Sequence, residues 1–246
     1  MDKVFESRYH LIEKNYWWCK ARRDIISKLV RHQPRSARIL DIGCASGMLI
    51  KKLRSDGFKN VSGVDISANA IQQCKQRGLK HCAVMNASEL AFDDETFDIL
   101  VASDILEHTK DDSKTLKEWG RVLKPGGFLI LFVPMFPEMW SMHDEVNHHY
   151  RRYTKKGLLS LLRREFVIER SSYWNTCLFF PVGAMRVLQR AVPFNFKKRD
   201  QLYPVPSFVN QLLFRLLQVE NLVLTKINLP IGISTFTILQ KKLSAK

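Results

Sequence analysis

Long apolar runs are missing from this 246-residue chain: no stretch reaches the ~18 consecutive apolar residues that a bilayer-spanning helix needs. Met1-Asp2-Lys3-Val4-Phe5-Glu6-Ser7-Arg8 likewise lacks the apolar run of a signal peptide. The expectation is a cytoplasmic protein, at most peripheral on the inner face of the membrane. Cysteines are few: Cys19, Cys44, Cys74, Cys82 and Cys177 are an odd number without C-x-x-C spacing, which indicates neither a disulfide framework nor a zinc site. Acid is scarce in one part only. Residues 151–246 hold 17 Lys+Arg against 4 Asp+Glu, whereas residues 1–150 hold 22 against 20, so the net charge of +15 is almost all C-terminal. Such a surplus suits an anionic partner (phosphorylated substrate, nucleic acid or an acidic membrane surface) or a merely solvated basic face.

What is present centres on Ala37-Arg38-Ile39-Leu40-Asp41-Ile42-Gly43-Cys44-Ala45-Ser46-Gly47-Met48-Leu49-Ile50, which reads as a buried strand, a tight glycine turn and the start of a helix. Gly43 lets the backbone turn sharply against a ligand, Gly47 lets the helix pack close, and Ser46 is placed to cap it. Asp65, 22 residues beyond Gly43, ends the next apolar run, where a doubly wound fold keeps a carboxylate for a ribose diol. The dinucleotide fingerprint G-x-G-x-x-G fits poorly, because Ala45 replaces its middle glycine. Short apolar runs at Ile39–Asp41, Val61–Asp65, 81–85, Ile99–Ser103 and Phe128–Val133 alternate with helical segments, which predicts a parallel sheet with helices on both faces. Residues 11–32 read as a helix stopped by Pro34, Thr154 as the cap of a helix to Arg164, Phe166–Tyr173 as a sixth strand and Ile233–Gln240 as a seventh.

Asp41-x-Gly43-x-x-x-Gly47, with Asp65, Asn86-Ala87-Ser88-Glu89-Leu90-Ala91-Phe92, Thr96-Phe97-Asp98-Ile99-Leu100-Val101 and Leu123-Lys124-Pro125-Gly126-Gly127-Phe128, resembles the ordered motifs of class I S-adenosylmethionine (SAM)-dependent methyltransferases. The resemblance covers residues 37–133 and extends to bacterial cell-surface glycan, lipid-pathway and ubiquinone-pathway branches. It implies a Rossmann-like α/β fold, a doubly wound, mostly parallel seven-stranded sheet, in one domain: an N-terminal helical cap (1–36), a SAM-binding core (37–173), a helical insertion (174–232), then the last strand and tail (233–246). It implies SAM as cofactor, with S-adenosylhomocysteine as product, held by Asp41, Gly43, Cys44, Gly47, Asp65, Ile66, Asn86, Ala87, Ser103, Arg23 and Trp18. Arg23, 18 residues before Asp41, stands where related O-methyltransferases hold the SAM carboxylate.

Two constellations follow the core. Asp104, Glu107 and His108 repeat the spacing of a divalent-metal site in ubiquinone-pathway methyltransferases, although the same Leu-Glu-His ending is widespread where no metal binds. Asp144-Glu145-Val146-Asn147-His148-His149-Tyr150-Arg151-Arg152-Tyr153 resembles a signature of Asp, then Gly-His, then Arg-Arg-Tyr, with His148 where the glycine stands. It makes His149 the candidate general base, with His143, Asp144, Arg152 and Tyr153 around it; the bland alternative is a surface histidine. The insertion combines Phe179 and Phe180, an amphipathic helix over 207–226 and the cations Arg186, Arg190, Lys197, Lys198 and Arg199, and reads either as a cap buried on the sheet or as a lid meeting lipid and phosphate. The expected activity is methyl transfer to an O, N or C nucleophile of a small-molecule, glycan or lipid-linked acceptor. A nucleic-acid methyltransferase is disfavoured, because Ser103-Asp104-Ile105-Leu106 replaces the Asn/Asp-Pro-Pro-Tyr type of loop. A non-catalytic SAM- or lipid-binding module is the third reading, and the oligomeric state stays open.

Overall fold

A computed structural model describes Tyr9 and residues 12–191 and 205–243. The strands are β1 (Arg38–Ile42), β2 (Asn60–Asp65), β3 (Cys82–Val84), β4 (Phe97–Ser103), β5 (Leu123–Pro134), β6 (Phe166–Trp174) and β7 (Ser234–Lys241). The helices are α1 (Trp17–Val30), α2 (Met48–Ser55), α3 (Ala68–Gln76), α4 (Asp112–Val122), α5 (Met142–Val146), α6 (Lys155–Leu162), α7 (Phe179–Ala191) and α8 (Ser207–Leu224). The strands form one sheet in the order β3-β2-β1-β4-β5-β7-β6, with β7 antiparallel to both neighbours and the other pairings parallel.

The centre of this sheet is apolar because helices cover both faces. Ile39, Leu40 and Ile42 of β1 and Ile99, Leu100 and Val101 of β4 are all buried, side by side in register Ile39↔Ile99 and Leu40↔Leu100. Helix starts are set by side chains where the sequence offers them: Ser67 accepts from Ala70, Asp111 from Lys114 and Thr154 from Gly157. Ser46 does not play that part. The N-cap of α2 is Gly47 in a left-handed turn, and the buried Ser46 hydroxyl bonds the Glu13 carboxylate instead. All seven strands lie where the apolar runs place them, and the carboxyl ends of the parallel strands flank the β1/β4 switch point, where open α/β sheets bind ligands.

Both helices of the 174–232 insertion lie between β6 and β7, and α8 packs along α1, so the N-terminal cap and the insertion form one roof. The joint is polar at one point: the Asn221 amide accepts from the Trp174 indole at 2.9 Å and donates to the Ala21 carbonyl and to Asp24, both at 2.9 Å. Beside it, the buried Glu220 carboxylate accepts from the backbone N–H groups of Asn175, Thr176 and Cys177, just before the start of α7. Glu220→Ala leaves these donors without their carboxylate and is expected to cost about 3 kcal/mol, read as a lower midpoint in thermal or urea unfolding. Lys197, Lys198 and Arg199 and the Arg190 side chain lie outside the described residues.

Candidate active site

The carboxyl ends of β1, β2 and β4, the α1 face and the segment after β5 enclose a cavity of about 340 Å³. Ala45, Asp104 and Asn175 on its wall all hold positive φ, at 46°, 57° and 63°. Non-glycine residues in that region carry strain of ~1–3 kcal/mol each and cluster where geometry serves a ligand.

At one end is the glycine turn. Gly43 and Cys44 donate their N–H groups to the Val64 carbonyl at 2.8 and 3.0 Å, while Asp65 accepts from Ala45 and Ser67, both at 2.9 Å. Asp65 therefore fixes the loop and also faces the cavity. Gly43 has φ +75°, but a Cβ there would meet the Ile105 side chain at 1.9 Å, so the close approach that excludes a side chain is to a neighbouring residue. At Gly47 a Cβ would meet Leu79 and Cys74, which confirms close packing of the helix start. Asp41 is buried on the cavity wall, and burial, reinforced by Glu13, pushes its carboxyl well above the usual range. Trp18 and Ser103 line the same space. Asn86, Ala87 and Ile66 do not: Asn86 is exposed and accepts from Ser88, the Ala87 carbonyl accepts from the Trp119 indole, and Ile66 is 75 % exposed.

The arginine that dominates the wall is Arg22. Its guanidinium is buried among the Trp18, Phe132 and Trp174 rings, and Nη1 donates to Ser103 Oγ at 2.9 Å and Asp104 Oδ2 at 2.7 Å. Nε and Nη2 have no hydrogen-bond partner among the described residues. Arg23 also reaches the cavity but gives its guanidinium to the carbonyls of Glu13 and Lys14. Helical phase, at about 100° per residue, separates the two arginines, so Arg22 and the expected Arg23 present different faces of α1.

At the other end, His149 Nδ1 lies 2.9 Å from Asp144 Oδ1, and Arg152 Nε donates to the same oxygen at 2.8 Å. The second Asp144 oxygen closes the capping box of α5 by accepting from the Ser141 N–H. Burial pushes Asp144 up, but the His149 bond and the Arg152 charge outweigh it and hold the carboxyl below the usual range. An ionised Asp144 can only accept, so Nδ1 of His149 is the donor, and in the neutral imidazole Nε2 is the nitrogen left to accept a proton. Burial pushes His108 down to about 3 and His143 down to about 4, which leaves both neutral near pH 7. His148 holds φ +55°, so the backbone keeps a left-handed turn where the resembling signature has glycine. Tyr153 does not join the site. Its ring is buried away from the cavity, its hydroxyl faces Asp112 at 3.4 Å, and burial raises its pKa.

The metal constellation is also rearranged. Asp104 is taken by Arg22, and the side chains that converge are Glu107, His108 and His149, with ligand atoms within 4.8 Å of one another. Both Glu107 oxygens are buried without a hydrogen-bond partner among the described residues, and burial, then Asp104, raises its pKa well above the usual range. An ion there would engage the lone pair that a basic His149 needs. A second cluster was invisible in the spacing: Cys44, Cys74 and Cys82 are buried with their sulfurs within 4.8 Å. Cys44 and Cys74 share the Ala45 carbonyl as acceptor, so the three thiols pack beneath the cofactor turn.

Comparison with known proteins follows this geometry. Residues 40–131 match a family model described as a methyltransferase domain. Over 124 residues the chain is 32% identical to the Vibrio vulnificus ubiquinone/menaquinone biosynthesis C-methyltransferase UbiE, covering 46% of this chain and 48% of that protein. Over 122 residues it is 32% identical to a Mesorhizobium japonicum ubiquinone biosynthesis O-methyltransferase, covering 45% and 48%. The chain spans about half the length of these curated relatives. Its fold is similar to a chain of the complex of the Haloferax volcanii Trm112 methyltransferase activator with a methyltransferase (TM-score 0.65, 17% identity, 99% and 96% covered). It is also similar to the [4+2]-cyclase SpnF (TM-score 0.57, 20% identity, 90% and 82% covered), so the fold alone does not name the reaction. The glycine turn, the cavity-facing Asp65 and the family match over the sheet agree: residues 40–131 match a methyltransferase domain, and the chain is similar to S-adenosylmethionine-dependent methyltransferases.

Proposed function

We propose that this chain moves a methyl group from SAM to a nucleophile of an acceptor bound between the glycine turn and His149. The observation that carries this reading is a single cavity reaching from Gly43, Ala45 and Asp65 to His149 and Arg152. The residues suit the cofactor: Asp65 lines the cavity beside the glycine turn, where a ribose diol would meet it, and the two Arg22 nitrogens without a partner among the described residues suit a carboxylate. SAM supplies an electrophilic methyl group that carries its own leaving group. The chain's task is then alignment, exclusion of water and removal of a proton from the acceptor.

In that scheme Asp65 holds the ribose diol, Arg22 holds the carboxylate end, and Asp41 faces the ammonium group. The acceptor lies against His143, Asn147 and Arg152, with Arg186 and Val182 of α7 on the same wall. His149 Nε2 receives the acceptor proton, and Asp144 and Arg152 fix the ring as it becomes charged. A small-molecule, glycan or lipid-linked hydroxyl, amine or activated carbon fits this arrangement. Incubating the protein with methyl-labelled SAM and cell extract, then separating lipid, nucleic-acid, protein and small-molecule fractions, tests the reading. Label is expected in the lipid or small-molecule fraction; label confined to nucleic acid overturns the acceptor class, and no transfer by a SAM-binding protein overturns catalysis.

A further inference from the structure

The roof beside the cavity has a buried underside and an apolar outer face. Leu217, Glu220, Asn221 and Leu224 of α8 are buried against the molecule, while Phe208 (73 % exposed), Leu212 (63 %), Leu216 (39 %), Val219 (60 %) and Leu222 (57 %) point outward at spacings of three and four residues. On α7, Phe180 (71 %) and Val187 (66 %) are also exposed. These positions put solvent-facing apolar side chains on the two helices of one insertion, larger than scattered surface leucines explain.

We propose that this face docks on an anionic lipid bilayer. Charge selects that occupant. The segment 174–232 holds seven Lys or Arg and two acids, and of those acids Glu220 is buried on backbone N–H groups. The outward residues Arg215 and Lys226 of the α8 region are therefore cationic without an acid beside them on the helix. Two copies of this chain meeting through the same face would bring cation to cation, whereas an acidic headgroup layer complements it. No described helix is long and apolar enough to cross a membrane, so the helices lie along the surface, apolar side chains inserted and cations at the headgroups. Durable attachment needs both signals, and the segment has both.

The geometry also places the docked face beside the cavity. Val182 and Arg186 of α7 line it, one and two helical steps from the exposed Phe180, Val187 and Leu188. An acceptor carried in the membrane would thus enter from the docked side; this last step, unlike docking itself, rests on the methyltransferase reading.

Flotation of the full chain with phosphatidylglycerol-containing vesicles and with pure phosphatidylcholine vesicles, at low and high salt, is the test. Binding to the anionic vesicles, lost on neutral ones and reduced by salt, is expected. Leu212→Glu with Val219→Glu should lower the bound fraction at least tenfold, since two inserted side chains are removed. Lys226→Glu should weaken binding to anionic vesicles and flatten its dependence on salt. Circular dichroism and SAM titration on each variant report folding and the cofactor site separately. A protein that binds SAM but stays unbound to every vesicle overturns docking and spares the methyltransferase reading; vesicle binding without SAM binding does the reverse. A dimer in sedimentation that Leu212→Glu dissolves, with no vesicle binding, assigns the face to a second copy and overturns the proposal.

Discussion

Replacing His149 with Ala is expected to slow methyl transfer about 100-fold or more at neutral pH, with SAM affinity nearly unchanged. The reason is positional. His149 stands at the end of the cavity away from the Gly43–Ala45 turn, so its loss removes a proton acceptor and leaves the cofactor's contacts intact. Neither neighbour replaces it: His108 and His143 are held at about 3 and about 4 by burial and are poor bases near pH 7. Raising the pH should partly rescue the variant as the acceptor ionises by itself. Asp144→Asn offers a control, because an amide can donate to Nδ1 and turn the imidazole to the wrong tautomer while nearly preserving volume. Single-turnover rates equal to wild type across pH would assign His149, Asp144 and Arg152 to holding the loop after β5.

Arg22 carries the second large effect. Arg22→Ala should weaken SAM binding by about 10- to 100-fold through loss of a charge-assisted bond to the cofactor carboxylate. The same change removes the partner of Asp104, which is 23 % exposed, and the filling between Trp18, Phe132 and Trp174, so the folded state also loses stability. Arg22→Lys separates the two consequences. Lysine keeps a positive charge near Asp104 but not the forked guanidinium, so SAM affinity should fall about tenfold in a protein that unfolds close to wild type. Arg23→Ala, which releases only the Glu13 and Lys14 carbonyls, should change SAM affinity far less. The reverse ranking, measured by titration calorimetry, would return the carboxylate to Arg23.

The strands were legible because their signal is local: Ile39-Leu40 and Ile99-Leu100-Val101 declare buried strands by composition alone, and the Asp65 spacing follows from one βαβ unit. Partnerships between units were not. Ile105 fills the space above Gly43 from 62 residues away, Glu13 takes the Ser46 hydroxyl that would otherwise cap α2, and Arg22 pairs with Asp104, away from Glu107 and His108 of the Asp-Glu-His spacing. Each is a contact between side chains brought together only when strands align. The Cys44, Cys74 and Cys82 cluster is of the same kind, since its members come from three consecutive units and carry no spacing of their own. For Tyr153 the signature gives only a position in sequence, whereas the structure pairs it with Met135 and packs its ring into the core.

The central claim is that SAM lies on the Gly43–Ala45 turn with its ribose against Asp65. Calorimetric titration of SAM into wild type and Asp65→Ala measures this most directly. One site per chain is predicted, weakened in the variant by about 1 to 3 kcal/mol, because the ribose bonds and the tether to the Ala45 N–H are both lost. An unchanged dissociation constant in a folded Asp65→Ala protein would place the cofactor elsewhere and contradict the account.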